Sequence, residues 1–306
     1  MRVTLVHNRA AGDQRHSAKR VLSRLAEAGY EADLGDSSRK GLKKLLKDPG
    51  ALVVVAGGDG TIAKVAIALA GRRIPMAILP IGTANNIAKS LGITGSMQDL
   101  IARWSLDRRR KLSLGALSAP FGITRFAESV GVGAFTELVV RGGEEVGENT
   151  AGFTGHEIDR ALLLLQRIVA EREPWPRQLQ IDGADCSGEY LVVEAMNTPM
   201  LGPNVPLAPG ADFGDDRLEV VTVTNAERKV LAEYLDHRLA GGAAPPPLTV
   251  RRGRRVMMRA SPRELHVDDG PWEPDEADGE DRPPRGQEGE VTITVGATGV
   301  EVLAPG

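Results

Sequence analysis

The sequence predicts an α/β protein of two domains, in which a doubly wound α/β domain is followed by a mainly antiparallel β domain. Three observations support this fold class. Short apolar runs alternate with helical segments in the first part of the chain, as they do around parallel sheets. After about Lys111, many short strands follow with only two clear helices among them. The length of 306 residues suits two hydrophobic cores better than one.

The first part of the chain predicts strands and helices in turn. Strands are expected where apolar residues form short runs, and helices where apolar residues recur at a spacing of three or four. In chain order the predicted elements are strand Val3–Val6, helix Arg15–Ala28, strand Tyr30–Leu34, a helix around Leu42–Leu46, strand Ala51–Ala56, helix Ile62–Ala70, strand Ile74–Leu79 and helix Ala84–Leu91.

The second part predicts mostly short strands, which favours an antiparallel domain. The segment Glu273–Glu290 is acidic, contains prolines and has few large apolar residues, so it predicts a loop. The predicted strands are Leu112–Leu117, Phe126–Val130, Leu179–Ile181, Tyr190–Ala195, Leu218–Val223, Thr249–Val250, Arg254–Arg259 and Val291–Leu303, and the helices are Glu157–Ala170 and Ala226–Leu239.

The composition argues against several classes of protein. The net charge of −3 does not suit a nucleic-acid binder that relies on bulk charge, so we expect no nucleic-acid partner. The single cysteine, Cys186, excludes an internal disulfide and a cysteine-built zinc site, and it fits a reducing, cytoplasmic compartment. Residues Met1–Val6 begin directly as a strand, and the apolar helix Ala161–Ala170 is interrupted by polar residues. We therefore expect neither a signal peptide nor a membrane-spanning helix.

Two glycine-bearing turns follow the two most apolar strands. Gly57–Thr61 follows the strand at residues 51–56, and Pro80–Asn86 follows the strand at residues 74–79. Ligands of open α/β sheets bind beyond the carboxyl ends of the strands. Glycines allow the backbone to approach a phosphate closely, and the helix N-terminus behind each turn adds partial positive charge. The two turns therefore predict a phosphate-binding site.

These turns have two possible interpretations, and an aspartate in the first turn helps to distinguish them. Both turns also fit ordinary strand-to-helix connections, in which Thr61 and Thr83 cap the following helices. Asp59, however, would repel a phosphate unless it holds a metal ion or acts as a base. The presence of both turns after neighbouring strands favours the functional interpretation. The glycine motifs GxxxxGK[ST] and GxGxxG are absent, and the five histidines show no metal-ligand spacing.

Five segments resemble, in their order and spacing, motifs of diacylglycerol kinases, sphingosine kinases and bacterial lipid kinases. The segments are His7–Gly12, Gly57–Thr61, Pro80–Leu91, Pro209–Leu218 and Val267–Gly270. The glycine loop at residues 57–61 is, more distantly, also similar to that of NAD kinases and phosphofructokinases. The stretch that begins at Pro80 resembles the lipid kinases rather than the NAD kinases.

This resemblance spans nearly the whole chain and implies an α/β nucleotide-binding domain plus a β-sandwich lipid domain, with the active site between them. We place the first domain at residues 1–112 and the second at residues 113–290. The closing residues 291–306 resemble the family's last strands and are expected to pack back toward the first domain. The implied reaction transfers the γ-phosphate of ATP to the hydroxyl of diacylglycerol or a related lipid alcohol, with Mg²⁺ as cofactor, in phospholipid biosynthesis.

The resemblance also implies roles for individual residues. Asp59 belongs to the catalytic carboxylate network, and Asp269 matches the general base, with Asp268 as the alternative one position earlier. Asp215 matches a position that holds magnesium in some bacterial members. Asp269 also fits an ordinary hairpin turn, and Asp215 a solvated turn. The residues expected to bind the nucleotide are Asn8, Gly12, Gly57, Gly58, Gly60, Thr61, Gly82, Thr83, Asn85 and Asn86.

The sequence departs from the family pattern at two positions that bear on catalysis. Asn86 stands where the family has aspartate, and an amide cannot share a negative charge with Asp59. Pro271 stands where the family has glutamate. Two alternatives to a lipid kinase therefore stay open, an NAD kinase and a non-catalytic sensor of nucleotide or lipid.

Three basic clusters bear on membrane contact. They lie at Arg39–Lys47, Arg108–Lys111 and Arg251–Arg255, and each fits either a solvated face or a site that attracts anionic lipid headgroups. A lipid substrate requires transient contact with a membrane surface, so we expect a protein that is peripheral to the membrane.

Overall fold

A computed structural model describes residues 1–8, 16–36, 41–42, 47–145, 155–242, 244–273 and 287–304. In it the chain divides into two units. Of these residues, the first unit takes 1–114 and 298–304, and the second takes 115–297. The predicted fold class is confirmed, because a parallel α/β unit is followed by a unit built mainly from antiparallel strands.

In the first unit, strands and helices alternate as the apolar pattern predicts. The strands are β1 (Arg2–His7), β2 (Glu31–Asp36), β3 (Val53–Gly57) and β4 (Met76–Pro80). The helices are α1 (Ala18–Glu27), α2 (Asp59–Leu69), α3 (Asn86–Ser90) and α4 (Met97–Ala102). Helix α4 was not predicted; the hydroxyl of Ser96 caps it by accepting the N–H of Asp99 at 3.2 Å.

These four strands form a parallel sheet in the order β2–β1–β3–β4. Strand β3 is wholly buried and β1 and β4 nearly so, which explains their continuous apolar sequences. Residues close to the end of the chain extend the sheet beyond β4, where Val302 pairs in parallel with Met76. Because β3 and β4 are parallel neighbours, the glycine turns that follow them lie at the same edge of the sheet.

Strands dominate the rest of the chain. They are β5 (Arg109–Ala119), β6 (Gly122–Phe126), β7 (Ser129–Gly133), β8 (Trp175–Arg177), β9 (Leu179–Ile181), β10 (Ala184–Asp185), β11 (Gly188–Tyr190), β12 (Val192–Met196), β13 (Leu218–Val223), β14 (Thr249–Gly253), β15 (Arg255–Ala260), β16 (Leu265–Val267), β17 (Gly270–Pro271) and β18 (Gly289–Leu303). The helices are α5 (Ala134–Glu145), α6 (Gly155–Glu171) and α7 (Arg228–Leu239).

The second unit contains two antiparallel groups of strands. One is a six-stranded sheet in the order β14–β13–β12–β7–β16–β17. The other joins β10, β9, β15 and the beginning of β18, together with the β5–β6 hairpin. Apolar side chains of both groups share one core, which includes Phe126, Val193 and Ile293. A separate core packs helices α5, α6 and α7 against the six-stranded sheet.

Two predicted strands are each divided in the structure, so those predictions were wrong. The predicted strand Phe126–Val130 falls on the end of β6 and the start of β7. Between them, the N–H groups of residues 127–129 donate to the carboxylate of Asp268 instead of to a neighbouring strand. The predicted strand Tyr190–Ala195 is likewise divided between β11 and β12.

Helix α5 was missed in the sequence because Gly142, Gly143 and neighbouring valines lower helix propensity. Burial of Ala134 and Phe135 against the helical core outweighs that preference. The predicted loop Glu273–Glu290 lies mostly outside the described residues, and β18 already begins at Gly289. Among the described residues, no helix has both the length and the apolar character needed to span a bilayer.

Candidate active site

The first glycine turn places two glycines, Gly57 and Gly58, at the end of β3. Gly58 precedes helix α2 in an extended conformation and has no side chain to cap the helix. A Cβ atom on Gly57 would lie 2.7 Å from the Cβ of Thr61, so only glycine fits where the chain folds back on itself. The following N–H groups of Thr61 and Ile62 both donate to the carbonyl of Gly58 at 3.0 Å. These contacts make the turn compact, with no room for a side chain at residue 57.

The two glycine turns touch through their glycines. A Cβ atom on Gly82 would lie 2.4 Å from the Cα of Gly58, and one on Gly58 would lie 3.2 Å from the Cα of Gly82. The N–H of Ile81 also donates to the carbonyl of Gly57 at 3.1 Å. This close approach explains why both positions are glycine, and it confines the two predicted phosphate-binding segments to one small surface.

Asn85 closes the second turn. It adopts a left-handed conformation with φ of 50°, which asparagine tolerates better than most residues. Its side-chain oxygen accepts the N–H of Gly82 at 3.0 Å, and its amide nitrogen donates to the carbonyl of Gly82 at 2.6 Å. Asn85 thus holds the conformation of this turn.

Asp59 connects the two turns. Its two carboxylate oxygens accept the backbone N–H groups of Asn86 and Ile87, each at 2.9 Å. The first turn therefore supplies the acceptor for the first N–H groups of α3. A carboxylate is a group that can also ligate a metal ion or accept a hydrogen bond from a hydroxyl group.

The first predicted loop contributes Asn8. Its side-chain amide donates to the hydroxyl of Thr61 at 3.1 Å, and its backbone N–H donates to the carbonyl of Ala56 at 3.0 Å. The structure thus brings Asn8 to the first glycine turn, as the resemblance implies. Gly12 lies outside the described residues.

Exposure separates the predicted nucleotide-binding residues into two groups. Gly57, Thr61 and Asn86 are buried, and the side chain of Asn86, in a residue that is only 2% exposed, faces the protein interior. The residues that are partly exposed at this edge are Gly58, Asp59, Gly60, Gly82, Thr83 and Asn85.

The Asp268–Asp269 turn, in the second unit, contains two carboxylates in different settings. The Asp268 carboxylate is buried and accepts the N–H groups of Ala127 and Glu128, at 3.1 and 2.7 Å, as well as that of Ser129. Burial raises the pKa of Asp268 to about 6, although these N–H groups act in the opposite direction. Asp269 is exposed. Asp268 therefore anchors the turn, while Asp269 is accessible to a substrate.

Asp215, the expected metal ligand, is engaged by other groups. Its carboxylate accepts the N–H of Arg217 at 2.9 Å and forms an ion pair with Arg252. Arg252 also contacts Glu219 at 3.2 Å. Within the described residues, no group of three or more His, Cys, Asp or Glu side chains could hold a metal ion. The role of Asp215 as a magnesium ligand stays a prediction.

A buried ionisable pair beside the Asp268–Asp269 turn was not predicted from the sequence. Glu194 lies in β12 and His266 in β16, both fully buried and in contact at 2.8 Å. One signal was available, because a glutamate within an apolar strand needs a buried partner. The identity of that partner depends on strand pairing that one sequence does not reveal.

Comparisons with known proteins match both halves of the chain. Residues 2–117 match the model of the diacylglycerol kinase catalytic domain, and residues 149–295 match that of the YegS C-terminal NAD kinase beta sandwich-like domain. The chain is 25% identical to the diacylglycerol kinase of Bacillus subtilis over 76% of each protein. It is 29% identical to a probable YegS-like lipid kinase of Pseudomonas aeruginosa, over 81% of this chain and 79% of that protein.

Two solved structures share the fold. A putative diacylglycerol kinase from Bacillus anthracis superposes with a TM-score of 0.69 at 16% identity, covering 99% of this chain and 97% of that one. Yeast NADH kinase complexed with NADH superposes with a TM-score of 0.52 at 10% identity, covering 100% of this chain and 84% of that one. At these identities the likeness concerns the fold alone.

Proposed function

We propose that the chain transfers the γ-phosphate of ATP to the hydroxyl of diacylglycerol or a related lipid alcohol. The matches to both halves of the chain confirm the family predicted from the sequence, that of the diacylglycerol kinase-like lipid kinases. One observation supports this reaction most directly. The Asp59 carboxylate holds the backbone of Asn86 and Ile87, so the two glycine turns and an acidic group form one surface.

The glycine turns suit the phosphates of ATP. Gly58 and Gly82 leave no side chain between the turns, so a phosphate can approach the backbone closely. Helix α2 has 11 residues, and no side chain caps its N-terminus, which therefore favours an anionic group. Thr83 is partly exposed beside the turns and adds a hydroxyl donor.

Asp59 fits a magnesium ion that accompanies ATP. Mg²⁺ prefers oxygen ligands and is usually held by one or two carboxylates together with substrate phosphates. The Asp59 carboxylate is partly exposed beside the two glycine turns, where the phosphates are proposed to bind. When bound, Mg²⁺ neutralises the charge that develops on the β- and γ-phosphate oxygens.

Asp269 is the better candidate for the general base. The oxygen of the lipid hydroxyl attacks the γ-phosphorus, the bond to the ADP oxygen breaks, and the hydroxyl proton passes to a carboxylate. Asp269 is exposed, whereas the Asp268 carboxylate is occupied by backbone N–H groups. The products are ADP and a lipid phosphate monoester.

Exposed basic residues support transient contact with a membrane that contains the lipid substrate. Arg108 and Arg109 are exposed in the first unit, and Arg251 and Arg254 are exposed in the second. Lys and Arg near a membrane surface are attracted to anionic headgroups. On this proposal the protein works from the membrane surface.

Phosphate transfer from γ-labelled ATP to a panel of acceptors tests the proposal. The panel contains diacylglycerol, sphingosine, a polyprenol and NAD, presented with Mg²⁺ and, for the lipids, in anionic vesicles. Label in a lipid supports the proposal. Label in NAD alone would identify an NAD kinase, and ATP binding without any transfer would identify a sensor; either result contradicts a lipid kinase.

A further inference from the structure

Glu194 and His266 meet across a glycine in the centre of the six-stranded sheet. In the antiparallel pairing, Gly131 of β7 lies opposite Glu194 of β12 on one side and opposite His266 of β16 on the other. Both ionisable residues are completely buried, and the carboxylate Oε1 lies 2.8 Å from the imidazole Nε2. The pair therefore bridges three strands.

Gly131 makes this contact possible. A Cβ atom at that position would lie 2.1 Å from Oε1 and 2.2 Å from Cδ of Glu194. Any side chain there would displace the carboxylate from His266. Strand β7 thus leaves a gap of the size of one side chain, and the Glu194 carboxylate fills it.

The hydrogen bonds fix where protons lie on His266. Its Nδ1 is 3.0 Å from the backbone carbonyl of Asp268, and a carbonyl only accepts, so Nδ1 carries a hydrogen. The contact between Nε2 and Glu194 then requires one more proton, on either the nitrogen or the oxygen. Burial disfavours charge on the imidazole, but the charges and hydrogen bonds of Glu194 and Asp268 together outweigh it and raise the pKa of His266.

The same histidine holds the Asp268–Asp269 turn. The Nδ1–H of His266 fixes the carbonyl of Asp268, and the N–H of Asp268 donates to the carbonyl of Ser129 at 2.9 Å. The Asp268 side chain is fixed by N–H groups of the same segment. Asp268 also has a φ of 53°, a conformation that an aspartate adopts only when its surroundings hold it there. The direction of the exposed Asp269 side chain depends on this arrangement.

We propose that Glu194 and His266 form a buried positioning pair, which orients the Asp268–Asp269 turn so that Asp269 reaches the lipid hydroxyl. The proposal rests on the proposed function in one respect, the role of Asp269 as base. Glu194 orients His266 and keeps it hydrogen-bonded, and His266 in turn fixes the peptide that precedes Asp269. Neither residue contacts the substrate in this scheme.

Three substitutions of Glu194 separate hydrogen bonding from charge. Glu194→Gln keeps the length, and its amide donates to an unprotonated Nε2 while Nδ1–H still bonds Asp268. Glu194→Asp keeps the charge but is too short by one methylene, and Glu194→Ala removes the group. Glu227→Ala is the control, because Glu227 is a partly buried carboxylate of the second unit that accepts hydrogen bonds from Thr224 and Thr249.

We expect Glu194→Asp and Glu194→Ala to lower kcat on the order of tenfold to 100-fold, as small misplacements of catalytic groups do, without a change in the KM for ATP. Glu194→Gln and Glu227→Ala should keep a kcat close to that of the wild type. Amide hydrogen exchange in the peptide at residues 266–270 should accelerate in the Asp and Ala variants only.

Two results would overturn the proposal. One is a folded Glu194→Asp variant whose kcat and amide hydrogen exchange at residues 266–270 equal those of the wild type. This variant tests the proposal even if Glu194→Ala does not fold. The other is a Glu194→Gln variant as slow as Glu194→Asp, since a hydrogen bond kept to His266 would then not preserve turnover. If the wild type phosphorylates no lipid, the proposed function fails, and hydrogen exchange alone still decides whether the pair holds the turn.

Discussion

Asp59, in the first glycine turn, accepts a hydrogen bond of 2.9 Å from the backbone N–H of Asn86, in the second. The aspartate that the sequence marks as catalytic is therefore also the group that fixes the neighbouring turn. We expect that removing its charge changes the shape of the proposed phosphate site as well as the proposed chemistry. The two effects are separable, because the first changes ATP affinity and the second changes kcat.

Asp59→Asn should lower kcat by about 10²–10⁴, the usual contribution of an acid–base or charge-positioning group. It should also lower the free energy of unfolding by about 1–3 kcal/mol, because the amide has one acceptor oxygen and leaves one of the two N–H groups without a carboxylate partner. Steady-state kinetics and thermal unfolding measure both. Asp33→Asn, an exposed position of β2, controls for loss of charge. Turnover within a few fold of the wild type would leave Asp59 with a structural role only.

Gly82→Ala should weaken ATP binding while the sheet stays folded. The new methyl group would lie 2.4 Å from the Cα of Gly58, a backbone atom that cannot move aside without separating the turns. Gly58→Val should have the same effect. Gly142→Ala is the control, since a methyl group there meets nothing within 4 Å. Calorimetric titration with ATP is the measurement, and an unchanged Kd in a folded Gly82→Ala protein would remove these turns from the nucleotide site.

Asn86→Asp should retain lipid kinase activity and change its pH dependence. The backbone of residue 86 is bonded to Asp59, so a second carboxylate there would be coupled to the first, and burial would raise its pKa. A pH–rate profile of both proteins tests this. Should only the Asp variant transfer phosphate, the wild-type chain would be a sensor rather than a kinase.

Asp268→Asn should reduce stability, whereas Asp269→Asn should reduce turnover. Asp268→Asn should lower the free energy of unfolding by about 1–3 kcal/mol, because an amide cannot accept all the N–H groups that the carboxylate accepts. Asp269→Asn should leave stability unchanged, since the side chain is exposed, and should lower kcat by about 10²–10⁴. Chemical denaturation and kinetics distinguish them. An active Asp269→Asn enzyme would exclude this residue as the base.

The free energy of unfolding should decrease as the pH rises, through two buried groups of the second unit. The pKa of Asp268 is raised from 3.8 to about 6, and that of His266 is raised above 6.5. Such groups bind their protons more tightly in the folded protein, so their stabilising contribution is complete below the unfolded pKa and is lost as the pH rises through the folded pKa. Thermal unfolding from about pH 5 to about 9 measures the decrease. In the Glu194→Gln variant, the free energy of unfolding should depend less on pH above pH 6.5, the ordinary pKa of histidine.

The sequence predicted the glycine turns well, because they follow buried strands whose apolar runs are easy to recognise. It did not predict that Asp59 bonds Ile87, since a contact between residues 28 positions apart depends on which strands are neighbours. The contact of Glu194 with His266 spans 72 positions and was missed for the same reason. Local patterns thus located the turns, while the bonds that join them required the tertiary structure.

The parallel sheet of the first unit stays incomplete during synthesis until β18 has been translated. The end of this strand pairs with β4, and Ala304 donates its N–H to the carbonyl of Arg108 at 3.0 Å, so the parallel sheet is extended by residues that are translated after the second unit. Until then the outer edge of β4 has no strand beside it, and unpaired edges favour pairing with other chains. The entire second unit is translated during that interval. Chaperone dependence on expression is therefore expected to originate in the first unit, whose residues lie on both sides of the second unit in the sequence.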